Sequence, residues 1–397
     1  MNIYAEAVGK LKLAINSAIE KAISEGDLPQ AELPDFIIET PADRSHGDFA
    51  TNAAMAGAKA FRMPPFKIAR AITSHLDLEG TMCERFETAG LGFINFFLGS
   101  KFYSAVVNSV LENPETYGNS DFGKGEKVMV EFVSANPTGP MHMGNARGGA
   151  LGDCLAAVLD KAGYNVWREF YVNDAGNQIE KFGCSLEARY LQIDEIVFPE
   201  DGYQGVDITE LAQEYADIHG DSLVNVSSEE RKKTLVDFAL PKNISKMQSD
   251  MAKYNITYDK WFFESELHKS GAVKAVVDTL TEKGLTYEQD GAVWYKNKQV
   301  LTEKLLKQGK TQKYIDNLEL KDDVLIRQNG NPTYFTADIA YHKNKFDRGF
   351  TTLIDIWGAD HHGHVMRMKG AMDAIGYDGD KLNVVLMQLV KLVKNGE

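Results

Sequence analysis

The sequence predicts an α/β protein: a parallel-sheet domain opening near residue 125, a small α+β domain before it, and a mostly helical insertion within it. Three observations lead there. Strand and helix patterns alternate from Val128 to Arg189, the rhythm of βαβ units. A stretch carrying Pro114, Gly118, Gly123 and Gly125 separates this region from an amino-terminal one of different pattern. The 397 residues also exceed one ordinary core, so two or three domains are expected.

Residues 1–32 read as helix, because Val8, Leu11, Ile15 and Ile19 recur three or four apart. A short strand is expected at Phe36–Glu39, then a polar turn. Ala50–Phe61 reads as helix, and Pro64 and Pro65 start another at Phe66–Leu76. Phe86–Leu98, aromatic and β-branched around Gly90 and Gly92, reads as a strand or strand pair. These elements make a first domain over 1–115. The second, 116–397, opens with a buried strand at Val128–Phe132. A Gly/Pro/Asn loop, a helix at Met143–Ala162, a strand at Asn165–Tyr171 and a helix at Ile179–Arg189 follow. Charge-rich helical stretches, Asp207–Asp217 and Glu229–Lys253, mark an insertion at about 195–290. The sheet is expected to resume with Val293–Trp294, Val324–Ile326 and Thr352–Trp357, with a last helix at Val365–Ile375. The closing run to Glu397 brings no further element, so the sequence reads as ending in mid-domain.

Composition excludes several classes. With 44% hydrophobic and 25% charged residues, the chain is not globally disordered. No apolar run approaches the ~20 residues that span a membrane, and the amino terminus lacks the apolar core of a signal peptide. Cys83, Cys154 and Cys184 lie far apart and odd in number, which suggests free thiols and a cytoplasmic setting. A net charge of -14 means that an RNA partner cannot be inferred from bulk charge.

The sharpest local feature is the loop after the first central strand, Glu131-Phe132-Val133-Ser134-Ala135-Asn136-Pro137-Thr138-Gly139-Pro140-Met141-His142-Met143-Gly144-Asn145. It contains neither G-K-[ST] nor G-x-G-x-x-G, so neither a lysine-clamped phosphate loop nor a dinucleotide fingerprint is predicted. It does set His142 and Asn145 where a helix begins, and helix N-termini suit phosphate. Gly144 leaves room for a nucleotide to approach the backbone. On a helix His142 and Asn145 share a face and both can donate to phosphate oxygens. The plainer alternative, a satisfied histidine and an asparagine helix cap, stays open.

The same loop, continued as far as Asp153, resembles the signature of the arginyl-tRNA synthetase family, class I aminoacyl-tRNA synthetases. His142-Met143-Gly144-Asn145 stands where that family carries its H-I-G-H-like motif. The resemblance continues through Val172-Asn173-Asp174-Ala175-Gly176-Asn177-Gln178 and Asp290-Gly291-Ala292-Val293-Trp294. It is strong again at Pro332-Thr333-Tyr334-Phe335-Thr336-Ala337-Asp338-Ile339-Ala340-Tyr341-His342 and at Trp357-Gly358-Ala359-Asp360-His361-His362-Gly363. Ser45–Asn52 and Gly92–Asn95 resemble the domain that this family adds at its amino terminus to contact the tRNA elbow.

The resemblance implies a Rossmann-like class I catalytic domain that joins L-arginine to its tRNA at the expense of ATP. Mg²⁺ is expected on the ATP phosphates and not in a protein cage. It makes His142 and Asn145 catalytic, with Gly144 beside them at the nucleotide. Glu131, Ser134, Asn136, Tyr334 and Asp338 become arginine ligands, with Asp360 a further contact to arginine or adenosine. Asp338 is expected to form the ion pair with the guanidinium and Tyr334 a hydrogen bond. Glu131 ends a buried strand, where an unpaired carboxylate is costly, and a cationic ligand is its expected partner. Asn145 departs from the family's histidine: it keeps a donor but cannot become a cation. The family's K-M-S-K-S-like loop and anticodon-binding domain fall past the end of the sequence, which predicts weak activity or none for this chain. A non-catalytic RNA- or arginine-binding fragment is therefore the alternative, and a small-molecule nucleotidylyltransferase a more remote one. A protein-held metal at Asp360, His361, His362 and His364 is not expected, since adjacent residues rarely supply the geometry.

Overall fold

The computed structural model describes residues 3–32, 34–191, 202–388 and 390, with the Asp360 side chain outside that description. The chain divides into two units, Met1–Ser120 and Asp121–Glu397. In the first, helices α1 (Ile3–Ser24), α2 (Ala53–Phe61), α3 (Pro65–His75) and α4 (Ser100–Glu112) accompany strands β1 (Ile38–Glu39), β2 (Phe49–Thr51), β3 (Cys83–Ala89) and β4 (Phe93–Leu98). The strands form one antiparallel sheet in the order β1-β2-β4-β3. Leu11, Ile15 and Ile19 of α1 bury their shared stripe with Phe49, Ile68 and Phe96. The helix expected over 1–32 stops at Ser24, just before Gly26 in the left-handed region (φ 85°). The helix expected from Ala50 starts at Ala53, because 49–51 pair with β4 instead. Helix α4 was not expected from the sequence, and none of its residues is fully buried.

The second unit runs β5 (Lys127–Glu131), α5 (Met143–Lys161), β6 (Asn165–Val172) and α6 (Asn177–Leu191), then α7 (Val206–His219), α8 (Ser228–Lys253) and β7 (Lys260–Phe263). It continues through α9 (Glu264–Lys269), α10 (Ala272–Glu282), β8 (Thr286–Gln289), β9 (Ala292–Tyr295), α11 (Asn297–Lys307), α12 (Gln312–Asp316) and β10 (Asp323–Ile326). It closes with α13 (Tyr334–Asp347), β11 (Thr352–Gly358), α14 (His362–Ile375) and β12 (Leu382–Met387).

Among the described residues, five strands form an all-parallel sheet in the order β12-β11-β5-β6-β7. Strand β5 is buried on both faces, as parallel strands are: Val128 and Val130 pack with Ala156 and Ile356, and Met129 packs on the other side with Tyr341 and Met368. The chain moves outward from β5 to β6 and β7, then returns to the opposite side of β5 with β11 and β12. The strand order thus reverses between β5 and β11, where α/β sheets hold their ligands.

Two expectations are corrected. Val293–Trp294 and Val324–Ile326 do not extend the parallel sheet. They belong to β9 and β10 of a separate antiparallel sheet, β10-β9-β8. Within the span read as an insertion, Lys260–Phe263 is a strand of the main sheet, paired parallel with β6. The helical layer before it, α6 to α8, has its own core of Phe182, Leu186, Tyr215 and Leu235. Residues 195–201 of the expected insertion, with 192–194 before them, lie outside the described residues.

Candidate active site

The carboxyl end of β5 does not continue as strand. Val133 (φ 70°) and Ser134 (φ 42°) both take left-handed backbone, which a β-branched residue adopts at a cost of about 1–3 kcal/mol. The turn is held by Ser134, whose hydroxyl donates to Glu131 Oε1 (2.7 Å) and accepts from the Tyr171 backbone N–H (3.1 Å). It leads into a cleft of about 690 Å³ lined by Ser134, Asn136, His142, Gly144, Asn145 and, from the far side of the switch point, His361.

Helix α5 enters this cleft with its N-terminus. His142 is its N-cap, and a reciprocal capping box forms with Asn145. The Gly144 N–H donates to His142 Nδ1 (3.1 Å), and the His142 N–H donates to Asn145 Oδ1 (2.9 Å). His142 therefore precedes the helix instead of sharing a face with Asn145, as helical spacing suggested. The capping bonds fix both groups: an Nδ1 that accepts leaves the proton on Nε2, and an Oδ1 that accepts turns the Asn145 NH₂ away from the cap. Two oriented donors thus remain at a helix N-terminus, the requirement for a phosphate oxygen. A Cβ at Gly144 would come within 2.9 Å of the His142 ring, so this ring position needs glycine.

Behind Ser134 lies a group of buried charges. Lys345, fully buried in α13, bridges Glu131 Oε2 (2.5 Å) and Asp355 Oδ1 (2.8 Å). His342, one turn earlier, sets Nε2 against Asp355 Oδ2 (2.7 Å) and Nδ1 against the Asp338 carbonyl (2.8 Å). Burial pushes the Glu131 carboxyl up against the pull of Lys345. Asp355 lies below its ordinary range: burial opposes this, but Lys345 and His342 outweigh it. The cation that Glu131 needs is therefore already in the protein: Lys345 supplies it, and not a ligand as the strand-end position suggested.

A different pair lacks such a cation. Asp338 lies on α13 and Glu264 at the start of α9, next to β7. Glu264 accepts from the Tyr171 hydroxyl (2.8 Å) and faces His268 (3.3 Å). Burial is the main influence raising its carboxyl, with the Asp338 charge adding to the rise. Tyr171 is raised well above the usual phenol range, by burial first and then by Glu264, Asp338 and Glu131. Asp338 receives His364 (3.1 Å). Among the described residues, neither Asp338 nor Glu264 is paired with a lysine or arginine.

Of the residues singled out from sequence, Ser134, Asn136, His142, Gly144 and Asn145 thus meet at the cleft, and Glu131 lies under Ser134. Tyr334 is the first residue of α13 and 63% exposed, one turn before Asp338, with its ring 6.0 Å from that of His364. The Asp360 side chain falls outside the described residues. Glu264, Tyr171, His342 and Lys345 were missed. One signal was present for Glu264: Trp261-Phe262-Phe263-Glu264 repeats the pattern of Val128–Glu131, an apolar strand ending in a glutamate.

Residues 9–98 match the family described as "Arginyl tRNA synthetase N terminal domain", and residues 106–391 match "tRNA synthetases class I (R), catalytic domain". The chain belongs to the class I arginyl-tRNA synthetase family. It is 52% identical over 401 aligned residues to an arginine–tRNA ligase of Ruminiclostridium cellulolyticum, covering 100% of this chain and 68% of that protein. Identity to the arginine–tRNA ligase of Caldanaerobacter subterraneus subsp. tengcongensis is 53%, with the same coverages. The chain thus spans about two thirds of the length of these relatives. A solved arginyl-tRNA synthetase structure from Campylobacter jejuni superimposes with a TM-score of 0.63 at 36% identity, over 76% of this chain and 62% of that one. One from Thermus thermophilus shares the fold, with a TM-score of 0.56 at 21% identity over 95% of this chain and 66% of that one. Within the arginyl-tRNA synthetase family the parent activity is that of an arginine–tRNA ligase. Among the described residues, no helix is long and apolar enough to cross a membrane.

Proposed function

We propose that this chain carries the arginine and ATP sites of an arginine–tRNA ligase. The observation that carries the reading is the pair Asp338 and Glu264, gathered at Tyr171 with no lysine or arginine paired to either among the described residues. A guanidinium is always charged and has five donors in a fixed fork, so it satisfies two carboxylates where an uncharged analogue cannot. Tyr334, exposed one turn before Asp338, stands ready to close over the same group. Glu131, Ser134 and Asn136 then hold the α-amino and carboxylate end at the turn after β5, Glu131 acting through the Ser134 hydroxyl that it orients. Asp360 is kept as a further substrate contact.

His142 Nε2–H, the Asn145 amide and the start of α5 serve the ATP phosphates. The reaction needs no protein nucleophile. The arginine carboxylate oxygen attacks the α-phosphorus, pyrophosphate leaves, and a terminal hydroxyl of arginine tRNA then attacks the arginyl carbon and expels AMP. Alignment and the fixed donors stabilise the charge that grows on the phosphate. Mg²⁺ comes with the ATP, since the groups presented at the cleft by His142 and Asn145 are hydrogen-bond donors, which suit phosphate oxygens and not a cation. A cytoplasmic setting belongs to the same reading, supported by three cysteines that are all free.

Calorimetric titration with L-arginine, L-lysine and L-citrulline tests it. Citrulline keeps the shape and loses the charge. Arginine should bind more tightly than citrulline by about 2–3 kcal/mol, roughly 30- to 150-fold, as charge-assisted hydrogen bonds allow. Asp338→Asn should remove most of that difference. Equal affinity for the two ligands would refute the guanidinium assignment.

A further inference from the structure

The side chain that meets Asp338 is itself held from behind. His364 sends Nε2 to Asp338 Oδ2 (3.1 Å), and its Nδ1 faces Nη2 of Arg367 (2.9 Å). Arg367 is fixed in turn by Asp323, whose Oδ1 accepts from Nη1 (2.8 Å). A guanidinium has donors only, so the contact is satisfied only if His364 Nδ1 offers a lone pair. The ring proton must then be on Nε2, pointing at Asp338. A second ring proton would set N–H against N–H beside a positive charge.

Resting on the arginine reading above, we infer that Arg367 is a positioning residue. It fixes His364 as the neutral Nε2–H tautomer, so that Asp338 is oriented by a hydrogen bond and keeps its whole negative charge for the substrate guanidinium. Without Arg367 the ring is free to take a second proton. Asp338 then gains a protein cation, and the pocket loses the excess charge by which it selects a cationic side chain. The groups around His364 are Asp338 and Tyr334 from α13, Asp323 from β10, His361 from the turn before α14, and Arg367 on its own helix. Phe335 and Trp357 add uncharged rings at 5.6 and 5.4 Å. Among the described residues Arg367 is the one permanent cation in this set, and it lies on the side away from Asp338.

Two measurements test the role. The first is ligand-free: imidazole ¹⁵N spectra of the wild-type protein, with the His364 signal assigned by its loss in His364→Gln. The expected spectrum at neutral pH is that of the Nε2–H tautomer. A dominant Nδ1–H tautomer overturns the inference. The second is the arginine dissociation constant between pH 8 and pH 5.5 in Arg367→Met, taken as a ratio to wild type so that titration of Glu264 cancels. A freed imidazole that takes a second proton weakens binding at pH 5.5 and hardly at all at pH 8. The ratio should therefore rise on acidification. In a His364→Gln background, where the amide donates but cannot titrate, it should stay constant. A ratio flat with pH while arginine still binds overturns the role of Arg367. Wild-type protein that shows the expected tautomer but binds no arginine overturns the pocket reading and, with it, the purpose assigned here. If Arg367→Met folds poorly, Arg367→Met/Asp323→Asn removes the stranded carboxylate and carries the same comparison.

Discussion

Replacing Lys345 by methionine keeps the length of the side chain and removes the ammonium between two carboxylates. Lys345 and Asp355 are both wholly inaccessible and the Glu131 side chain is 8% exposed, so water cannot replace the lost charge. Breaking one buried ion pair costs about 3–5 kcal/mol. Because Lys345 serves Glu131 and Asp355 together, the upper half of that range, about 4–5 kcal/mol, is expected. For a unit of this size each kcal/mol lowers Tm by roughly 2–3 °C, so the drop should be about 8–15 °C. The sign of its pH dependence follows from Glu131. Burial already raises its folded carboxyl above the ordinary value, and losing the lysine raises it further. A carboxyl raised by folding takes stability away as pH rises from the unfolded toward the folded pKa. The deficit should therefore be smaller at pH 5 than at pH 8. Calorimetric melts at the two pH values measure it, and Lys345→Met/Glu131→Gln should recover about 2 kcal/mol by removing one stranded charge. A single mutant that melts within about 2 °C of wild type, or a deficit that ignores pH, would refute a charged bridge at this position.

Gly152→Ala should destabilise the second unit by about 1–3 kcal/mol in urea, because its Cβ would fall inside the Phe132 side chain; Gly9→Ala, in open space on α1, should instead stabilise the first unit by about 0.5–1 kcal/mol. Iodoacetamide at pH 8 should label the exposed Cys154 and spare Cys83, whose thiol burial pushes up to about 11 and whose sulfur is enclosed; mass spectrometry of the native protein decides this, and equal labelling would contradict it.

The β5–α5–β6 unit was legible because each of its signals is local. Val128–Val130 form a short apolar run, Met143–Ala162 opens after a loop of prolines and glycines, and the next strand follows at once. The antiparallel sheet was not legible for a related reason. Val293–Trp294 and Val324–Ile326 look like strands, but a short apolar run does not reveal which neighbour it pairs with. The site divides the same way. The loop from Glu131 to Asn145 could be read as a nucleotide turn from its own residues, and the resemblance added the partners on α13. The buried cation was out of reach, since Lys345 is 214 residues from Glu131 and nothing near either one announces the other. Asn145 was read as a departure that weakens a donor. The capping box gives it a second task, holding the His142 N–H with a short side-chain acceptor.

The strand order of the parallel sheet has a consequence during synthesis. Strand β5 pairs with β11 on one side, and the bridge from Lys345 to Glu131 closes a loop of 214 residues. At translation speeds of roughly 5–20 residues per second, that separation lasts about 10–40 s. Throughout this interval the β11-facing edge of β5 has no partner and Glu131 has no lysine, while the first unit, whose strands pair only among themselves, is already complete. An unpaired edge made of Val128, Met129 and Val130 is a template for wrong pairing. The nascent chain is therefore most exposed to aggregation, and most in need of a chaperone, between the emergence of β5 and that of β11.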